Sequence, residues 1–266
     1  MNMQREINEE INIKEEAQKY FTKHYPLASP QEIDKQVEDW QNKISSGKAL
    51  VSFFRERVGA IGNKRILDVG FGSGGIAIAF NRAGAEMYGV DVDPELQDIA
   101  ERNIAANNAK AEFKIYNGVD LPFSDNYFDY VTSFSVLEHV SFPDKLLNEV
   151  LRVLKPKGRI LLTLPNKYYP KETHTLTYFV SYMPRRLTDL YLKILKRSPL
   201  KHDNLHFYSY FDVLKMLKKT NYRYELLYKN LDKISSFKKL LILILKRVSI
   251  HYTAFLKQLI FIIEKE

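Results

Sequence analysis

Apolar residues recur in two different rhythms along this chain of 266 residues. Segments with apolar residues three and four positions apart predict helices near residues 74–83, 95–107 and 144–154. Short apolar runs between them predict strands near residues 65–69, 86–91, 111–116, 128–133 and 158–164. Strands that alternate with helices in this way predict an α/β domain, in which parallel strands form a central sheet with helices on both faces.

The first 60 residues have the helical rhythm without an intervening strand. Ser29 and Glu32 form a predicted capping box, with Pro30 at the first helical position. Behind it an apolar stripe follows at helical spacing, made of Ile33, Val37, Trp40 and Ile44. We therefore expect residues 1–60 to form a helical cap beside a main domain at residues 61–236.

The regular alternation breaks at residues 165–208, which are rich in tyrosine, lysine and proline. This stretch is predicted to be an insertion in the main domain. A helix is expected to resume near Ser209–Leu217, with Ser209 as its cap, and a late strand near Tyr222–Tyr228.

Residues 237–266 are predicted to form a basic amphipathic helix. Its apolar face would contain Phe237, Leu241, Ile244, Val248, Tyr252, Phe255, Leu259 and Ile262. Charged residues interrupt the apolar runs, so the segment is a poor candidate for a transmembrane span. Such a helix can lie in an anionic membrane interface, or it can dock on the protein body or on a second subunit, as in a homodimer.

Composition narrows the possible functions. The chain has no cysteine, which excludes disulfides, thiolate metal sites and the thiol nucleophile needed for methylation at cytosine C5. Residues 166–266 hold 20 Lys and Arg against 8 Asp and Glu, while residues 1–165 hold 20 against 24. The basic C-terminal part indicates an anionic partner. The charged N-terminus lacks an apolar signal core, so we expect a cytoplasmic protein, with peripheral attachment to the inner face of the cell membrane as a further option.

The chain's strongest motif is the glycine-rich turn Asp68-Val69-Gly70-Phe71-Gly72-Ser73-Gly74-Gly75 between a strand and a helix. Glycines there allow positive φ and let a ligand approach the backbone, and the helix offers free N–H groups. Asp91, at the end of the next strand, is placed to accept hydrogen bonds from ribose hydroxyls. Gly70, Gly72 and Gly75 also match the dinucleotide pattern, so the turn alone leaves both NAD and S-adenosylmethionine (SAM) open.

Two later segments, Asn117–Val131 and Glu149–Leu162, resolve this choice when they are taken with the turn. In this order and spacing, residues 60–165 resemble the class I SAM-dependent methyltransferases. The resemblance implies a Rossmann-like fold with a central, mostly parallel sheet of seven strands, SAM as the cofactor, and N-terminal helices that fold over it.

The resemblance also implies the cofactor residues. Asp68 would face the methionine ammonium group, a place where it would repel a pyrophosphate. The glycine turn would complete the methionine side with Gly70, Phe71, Gly72 and Gly74. Asp91 would bind the ribose, and Val92, Asn117 and Gly118 would lie on the adenine side. Phe134 and Ser135, after the fourth strand, would close the pocket.

The candidate residues for chemistry on the methyl acceptor are histidines. Some quinone-modifying relatives bind a divalent metal through a Glu-His pair and a further Glu; here Ser135 replaces that Glu beside Glu138 and His139, so no metal is predicted. His174 and His206 are further candidates for a general base, with His139 as a third. The stretch around His174 resembles methyltransferases of bacterial surface-polysaccharide and glycolipid synthesis.

Together these features predict O-methylation of a glycan, glycolipid or lipid-linked saccharide. The alternative is a soluble methyltransferase for a small molecule such as a quinone. A nucleic-acid methyltransferase is disfavoured because no Asn/Asp-Pro-Pro-aromatic motif follows the fourth strand. A non-catalytic membrane adaptor is disfavoured because Asp68, the glycines and Asp91 are intact.

Overall fold

The computed structural model describes residues 12–26, 28–172, 177–195, 205–217, 222–227 and 256–266. The chain divides into two compact units, residues 1–122 and 123–266. The boundaries predicted at residues 60 and 236 do not coincide with this division and stay predictions.

The first unit contains three N-terminal helices followed by alternating strands and helices. Its elements are α1 (Ile13–His24), α2 (Pro30–Gln41), α3 (Lys43–Arg57), β1 (Arg65–Val69), α4 (Gly75–Arg82), β2 (Glu86–Asp91), α5 (Pro94–Ala106) and β3 (Ala111–Ile115). The predicted capping box is present, since the Ser29 hydroxyl accepts from the Glu32 N–H and the Glu32 carboxylate accepts from the Ser29 N–H. The predicted helices and strands of this unit are confirmed.

Two glycines bring α3 against α4. A Cβ atom on Gly75 would lie 2.5 Å from the Lys43 Cβ, and one on Gly47 would lie 2.6 Å from the Ala79 Cβ. Gly75, the third glycine of the dinucleotide pattern, is therefore required here by helix packing.

The second unit contains the remaining strands. Its elements are β4 (Phe128–Phe134), α6 (Pro143–Val153), β5 (Leu154–Pro165), α7 (Arg185–Ile194), α8 (Tyr210–Leu217), β6 (Tyr222–Leu226) and β7 (Gln258–Lys265). A short 3-10 turn, Leu137–His139, follows β4, and another, Val180–Tyr182, precedes α7. The expected cap of α8 is present, because the Ser209 hydroxyl accepts a hydrogen bond from the Asp212 N–H.

The seven strands form one sheet in the order β3-β2-β1-β4-β5-β7-β6. The pairs β1–β2, β2–β3 and β4–β5 are parallel, whereas β7 runs antiparallel to both β5 and β6. The Rossmann-like, mostly parallel seven-stranded fold predicted from the sequence is confirmed.

The prediction of a helix at the C-terminus is wrong for residues 258–265, which form strand β7. Phe261 pairs with Leu162 on one side and Leu226 on the other, and all five residues from Leu259 to Ile263 are buried. An uninterrupted apolar run with three isoleucines fits a strand buried on both faces, which helical periodicity cannot exclude. Leu259 and Ile262 therefore cannot face lipid. The rest of the predicted helix, residues 237–255, lies outside the described residues.

Across the described parts of the chain, every helix is too short or too polar to cross a membrane.

Candidate cofactor and acceptor site

The turn after β1 has the left-handed backbone that its glycines predict. Gly70, Gly72 and Gly74 have φ angles of 80°, 51° and 74°. A Cβ atom on Gly74 would lie 3.2 Å from the Ala100 Cβ, so packing against α5 adds to the demand for glycine. At Gly72, by contrast, no described atom lies within 4 Å of the Cβ position, which leaves the backbone open to a ligand.

Asp91 ties the end of β2 to this turn. Its carboxylate accepts hydrogen bonds from the N–H groups of Gly72 at 3.1 Å and Val92 at 2.8 Å. Burial raises the pKa of the Asp91 carboxyl above its usual range, while these backbone donors oppose the rise. A desolvated carboxylate beside open glycine backbone suits the two hydroxyls of a ribose, so the residues of this unit fit an adenosyl cofactor.

Asp68 and Phe71 are both buried. Asp68 lies within β1 and is only 2% exposed, and its contact with the methionine ammonium group stays a prediction. Phe71 packs against Phe113 with ring centroids 4.4 Å apart, so its side chain belongs to the core. Contact between Phe71 and the cofactor therefore stays a prediction for its backbone alone.

The predicted adenine side is exposed. Val92 is 57% exposed, and the Cβ position of Gly118 lies 3.6 Å from a methyl group of Val92. The Asn117 side chain is engaged within its own loop: its oxygen accepts from the N–H groups of Val119 and Asp120, and its nitrogen donates to the Asp120 carboxylate. An adenine contact by Asn117 would have to replace the bond to Asp120, and this assignment stays a prediction.

Two tyrosines near Asp91 were not predicted from the sequence. The Tyr20 hydroxyl of α1 donates to the Asp93 carboxylate at 2.8 Å, and burial with the charge of Asp93 raises the Tyr20 pKa well above its usual range. Burial and the charge of Asp91 raise the pKa of Tyr116 to about 12. Tyr20 and Tyr116 are distant in sequence from the carboxylates that raise their pKa values, so no local motif predicts these interactions.

In the second unit, the segment after β4 has an unusual backbone. Ser135 adopts φ of 57°, and its N–H donates to the Thr163 carbonyl oxygen of β5 at 2.9 Å. Phe134, which ends β4, and Ser135 are half-buried. A non-glycine residue in the left-handed region is a feature often found at functional sites.

A narrow crevice in the same unit brings His206 together with Glu138 of the 3-10 turn and with other residues of the predicted insertion. Its lining includes Glu138, Asn166, Lys167, Glu172 and His206. The His206 N–H donates to the Glu138 carbonyl oxygen at 2.7 Å, and its ring stacks on Tyr208. Both glutamates are buried. The sequence named His206 as a candidate but did not predict that Glu138 and Glu172 line the same crevice.

The other two candidate histidines are His139 and His174. His139 is exposed at the end of its 3-10 turn and does not line this crevice. His174 lies outside the described residues. All three assignments to catalysis stay predictions.

Comparison with known proteins supports the interpretation of the turn. Residues 67–162 match the family described as "Methyltransferase domain". A demethylmenaquinone methyltransferase of Clavibacter sepedonicus is 37% identical over 105 residues, which are 40% of this chain and 42% of that protein. A ubiquinone biosynthesis O-methyltransferase of Coxiella burnetii is 24% identical over 190 residues, which are 65% of this chain and 80% of that protein. The chain thus spans less than half the length of the first of these relatives.

The fold is also similar to that of a solved methyltransferase. A crystal structure of an S-adenosylmethionine-dependent methyltransferase from Mesorhizobium loti has a TM-score of 0.56 and 16% identity, covering 80% of this chain and 96% of that one. At this identity the likeness concerns the fold. The matched domain and the geometry of its glycine turn indicate SAM as the cofactor. Residues 67–162 are therefore similar to the methyltransferase-domain family, and the fold is similar to that of a SAM-dependent methyltransferase.

Proposed function

We propose that this protein transfers the methyl group of SAM to a hydroxyl oxygen of a glycan, glycolipid or lipid-linked saccharide. The observation that carries the methyl-donor half of this proposal is the carboxylate of Asp91, desolvated and bonded to the open backbone of Gly72. The acceptor half rests on His206 and the charged residues that line the narrow crevice beside it.

The first unit supplies the groups that would hold the cofactor. Asp91 would accept hydrogen bonds from the ribose hydroxyls, and Asp68 would face the methionine ammonium group. Val92 offers an exposed apolar side chain on which the adenine can pack. When bound, SAM supplies a methyl group on a positively charged sulfur and leaves as neutral S-adenosylhomocysteine.

The second unit supplies the general base. We assign this role to His206, because a neutral imidazole can take the proton that the acceptor hydroxyl loses as its oxygen bonds to the methyl carbon. The resulting imidazolium would be stabilised by the negative charges of Glu138 and Glu172, which line the same crevice.

Lysines in the crevice lining favour an acceptor that carries an anionic group. Lys167 and Lys171 can contact a phosphate or diphosphate. Asn166 and Ser181 already donate to the carbonyl oxygens of Leu256 and Lys167, so only their side-chain oxygens could accept a hydrogen bond from a sugar hydroxyl. An acceptor of this kind carries several hydroxyls and an anionic linkage, as lipid-linked saccharides and sugar nucleotides do.

The test is a transfer assay with isotope-labelled SAM against sugar nucleotides and lipid-linked saccharides. We expect one of these classes to become labelled, and His206→Gln to lower turnover by about a hundredfold or more while SAM binding is kept. His24→Gln, a histidine change in α1, is the matched control. Labelling of no saccharide by protein that binds SAM would overturn the acceptor assignment, and undiminished turnover of His206→Gln would overturn the base assignment.

A second acceptor class is a quinone precursor with a phenol hydroxyl, which the name of the ubiquinone biosynthesis O-methyltransferase favours. A phenol has a pKa near 10 and ionises far more readily than a sugar hydroxyl, so it depends less on a general base. Labelling of demethylated quinone precursors, with only a small effect of His206→Gln, would select this alternative.

A further inference from the structure

The helix α7 and the turn before it present an exposed apolar face. Along α7, Leu187, Leu190 and Ile194 are 55%, 56% and 69% exposed, and their spacing places them on one side of the helix. Just before the helix, three aromatic side chains, Tyr178, Phe179 and Tyr182, are about half exposed. We propose that these six residues, the α7 face, dock the protein on the surface of an anionic phospholipid membrane.

The opposite side of α7 is anchored to the protein, so the exposed side is held outward. Leu192 and Val180 are fully buried and pack together. The Thr188 hydroxyl, also buried, donates to the Val180 carbonyl oxygen at 3.3 Å. A helix fixed through one face cannot rotate to hide its other face, and exposed leucine and isoleucine in such a row indicate an interaction surface.

The aromatic residues are also held in place. Phe179 has φ of 64°, a conformation that is costly for a bulky side chain, and its N–H is held by the Pro170 carbonyl oxygen. Its ring centroid lies 6.1 Å from that of Tyr178 and 6.2 Å from that of Tyr182. Aromatic rings with a polar edge are favoured where hydrocarbon meets water.

The basic residues around the α7 face favour an anionic membrane as its binding partner. Arg185, Arg186 and Lys193 on α7 are exposed, and the Lys171 ammonium lies 5.8 Å from the Tyr178 ring centre. In the described stretches 166–172 and 177–195, five basic residues stand against two acids, of which Glu172 is buried. Apolar side chains flanked by Lys and Arg are the pattern of an interfacial helix on anionic lipid.

This surface differs from the one expected at residues 237–266, of which the part in β7 is buried. It does not depend on the proposed methyl transfer, since none of the six residues has a part in cofactor binding or proton transfer.

The test is sedimentation of the full-length protein with vesicles. One set contains phosphatidylcholine alone, and the other contains about one third phosphatidylglycerol, enough for a negative surface potential. We expect the wild type to bind the anionic vesicles, with an affinity that falls as the salt concentration rises. The Leu187→Glu/Leu190→Glu variant should bind them at least about tenfold more weakly. Phe142→Glu/Phe211→Glu is the matched control, because it places the same charges on two exposed apolar residues elsewhere in this unit.

Far-ultraviolet circular dichroism and SAM titration confirm that each variant is folded. Control protein that binds like the wild type, together with loss in the α7 variant, supports the proposal. Three results would overturn it: no vesicle binding by the wild type, equal loss in both double variants, or a Leu187→Glu/Leu190→Glu variant that changes only the oligomeric state. The last result would assign the face to a second copy of the chain. SAM binding unchanged in every case keeps this test separate from the methyltransferase assignment.

Discussion

The carboxylate of Asp91 accepts a hydrogen bond from the backbone N–H of Gly72, 19 positions earlier in the chain, at 3.1 Å. This bond joins the end of β2 to the turn after β1, the two places where the sequence predicts ribose and methionine contacts. The same oxygen atoms that would bind a ribose therefore also hold the turn in its open shape.

The first prediction concerns the pH dependence of stability. Burial raises the pKa of Asp91 in the folded protein above the value of about 3.9 expected in the unfolded chain. Its favourable contribution to the free energy of unfolding is complete below that value and is lost as the pH rises through the raised pKa. We expect ligand-free wild type to lose thermal stability relative to Asp91→Asn across this window, and melting temperatures of both proteins from acid to neutral pH test it. A difference that stays constant with pH would contradict the assignment.

The second prediction concerns the glycine turn. Gly72→Ala places a Cβ in open space but in a left-handed backbone, so it should destabilise the protein by about 1 kcal/mol. Gly74→Ala adds a contact of 3.2 Å with Ala100 and should cost more. Gly62→Ala, with open space and no positive φ, is the control and should be nearly neutral. Urea unfolding ranks the three, and equal losses would show that backbone conformation does not decide them.

The third prediction concerns the link between α1 and α5. Tyr20→Phe removes the hydroxyl that donates to Asp93 and leaves the ring against Trp40. Since Asp93 still accepts the Glu95 N–H, the loss should be about 1 kcal/mol in the free energy of unfolding. Hydrogen exchange should show faster opening of α1. Tyr178→Phe, at an exposed tyrosine, is the control. An equal loss of stability in Tyr178→Phe would show that the hydrogen bond from Tyr20 to Asp93 does not account for the loss.

The fourth prediction concerns β7. Phe261 is fully buried between β5 and β6, so Phe261→Ala should lower the free energy of unfolding by about 3–5 kcal/mol. Glu266→Ala, at an exposed residue just beyond the strand, should change it little. A small effect of Phe261→Ala in chemical denaturation would favour the peripheral helix over the strand.

Most of the sheet could be predicted because its strands follow the local rules. The run that ends at Asp68 and Val69 is a short apolar strand closed by glycines, and Asp91 marks the end of the next strand at the expected distance. The exception is β7, whose residues Leu259–Ile263 are apolar at every position. Periodicity cannot distinguish a helix from a strand there, and the partners that decide it lie about 100 residues earlier in β5.

The site could be predicted only in part, because side-chain partners are not written in motifs. The family resemblance predicts an adenine contact for Asn117, but it does not predict that the Asn117 amide donates to the Asp120 carboxylate. It identifies Phe71 in the turn but not that the ring packs on Phe113. The gathering of His206 with Glu138 and Glu172 depends on the path of the insertion, which composition alone does not determine.

The measurement that tests the central claim most directly is calorimetric titration of wild type and Asp91→Asn with SAM, S-adenosylhomocysteine and NAD. We predict that the wild type binds both adenosyl ligands and not NAD. In Asp91→Asn, the loss of charged hydrogen bonds to the ribose should weaken that binding by about ten- to a hundredfold. Binding of NAD by the wild type, or unchanged affinity of Asp91→Asn for SAM, would contradict the account.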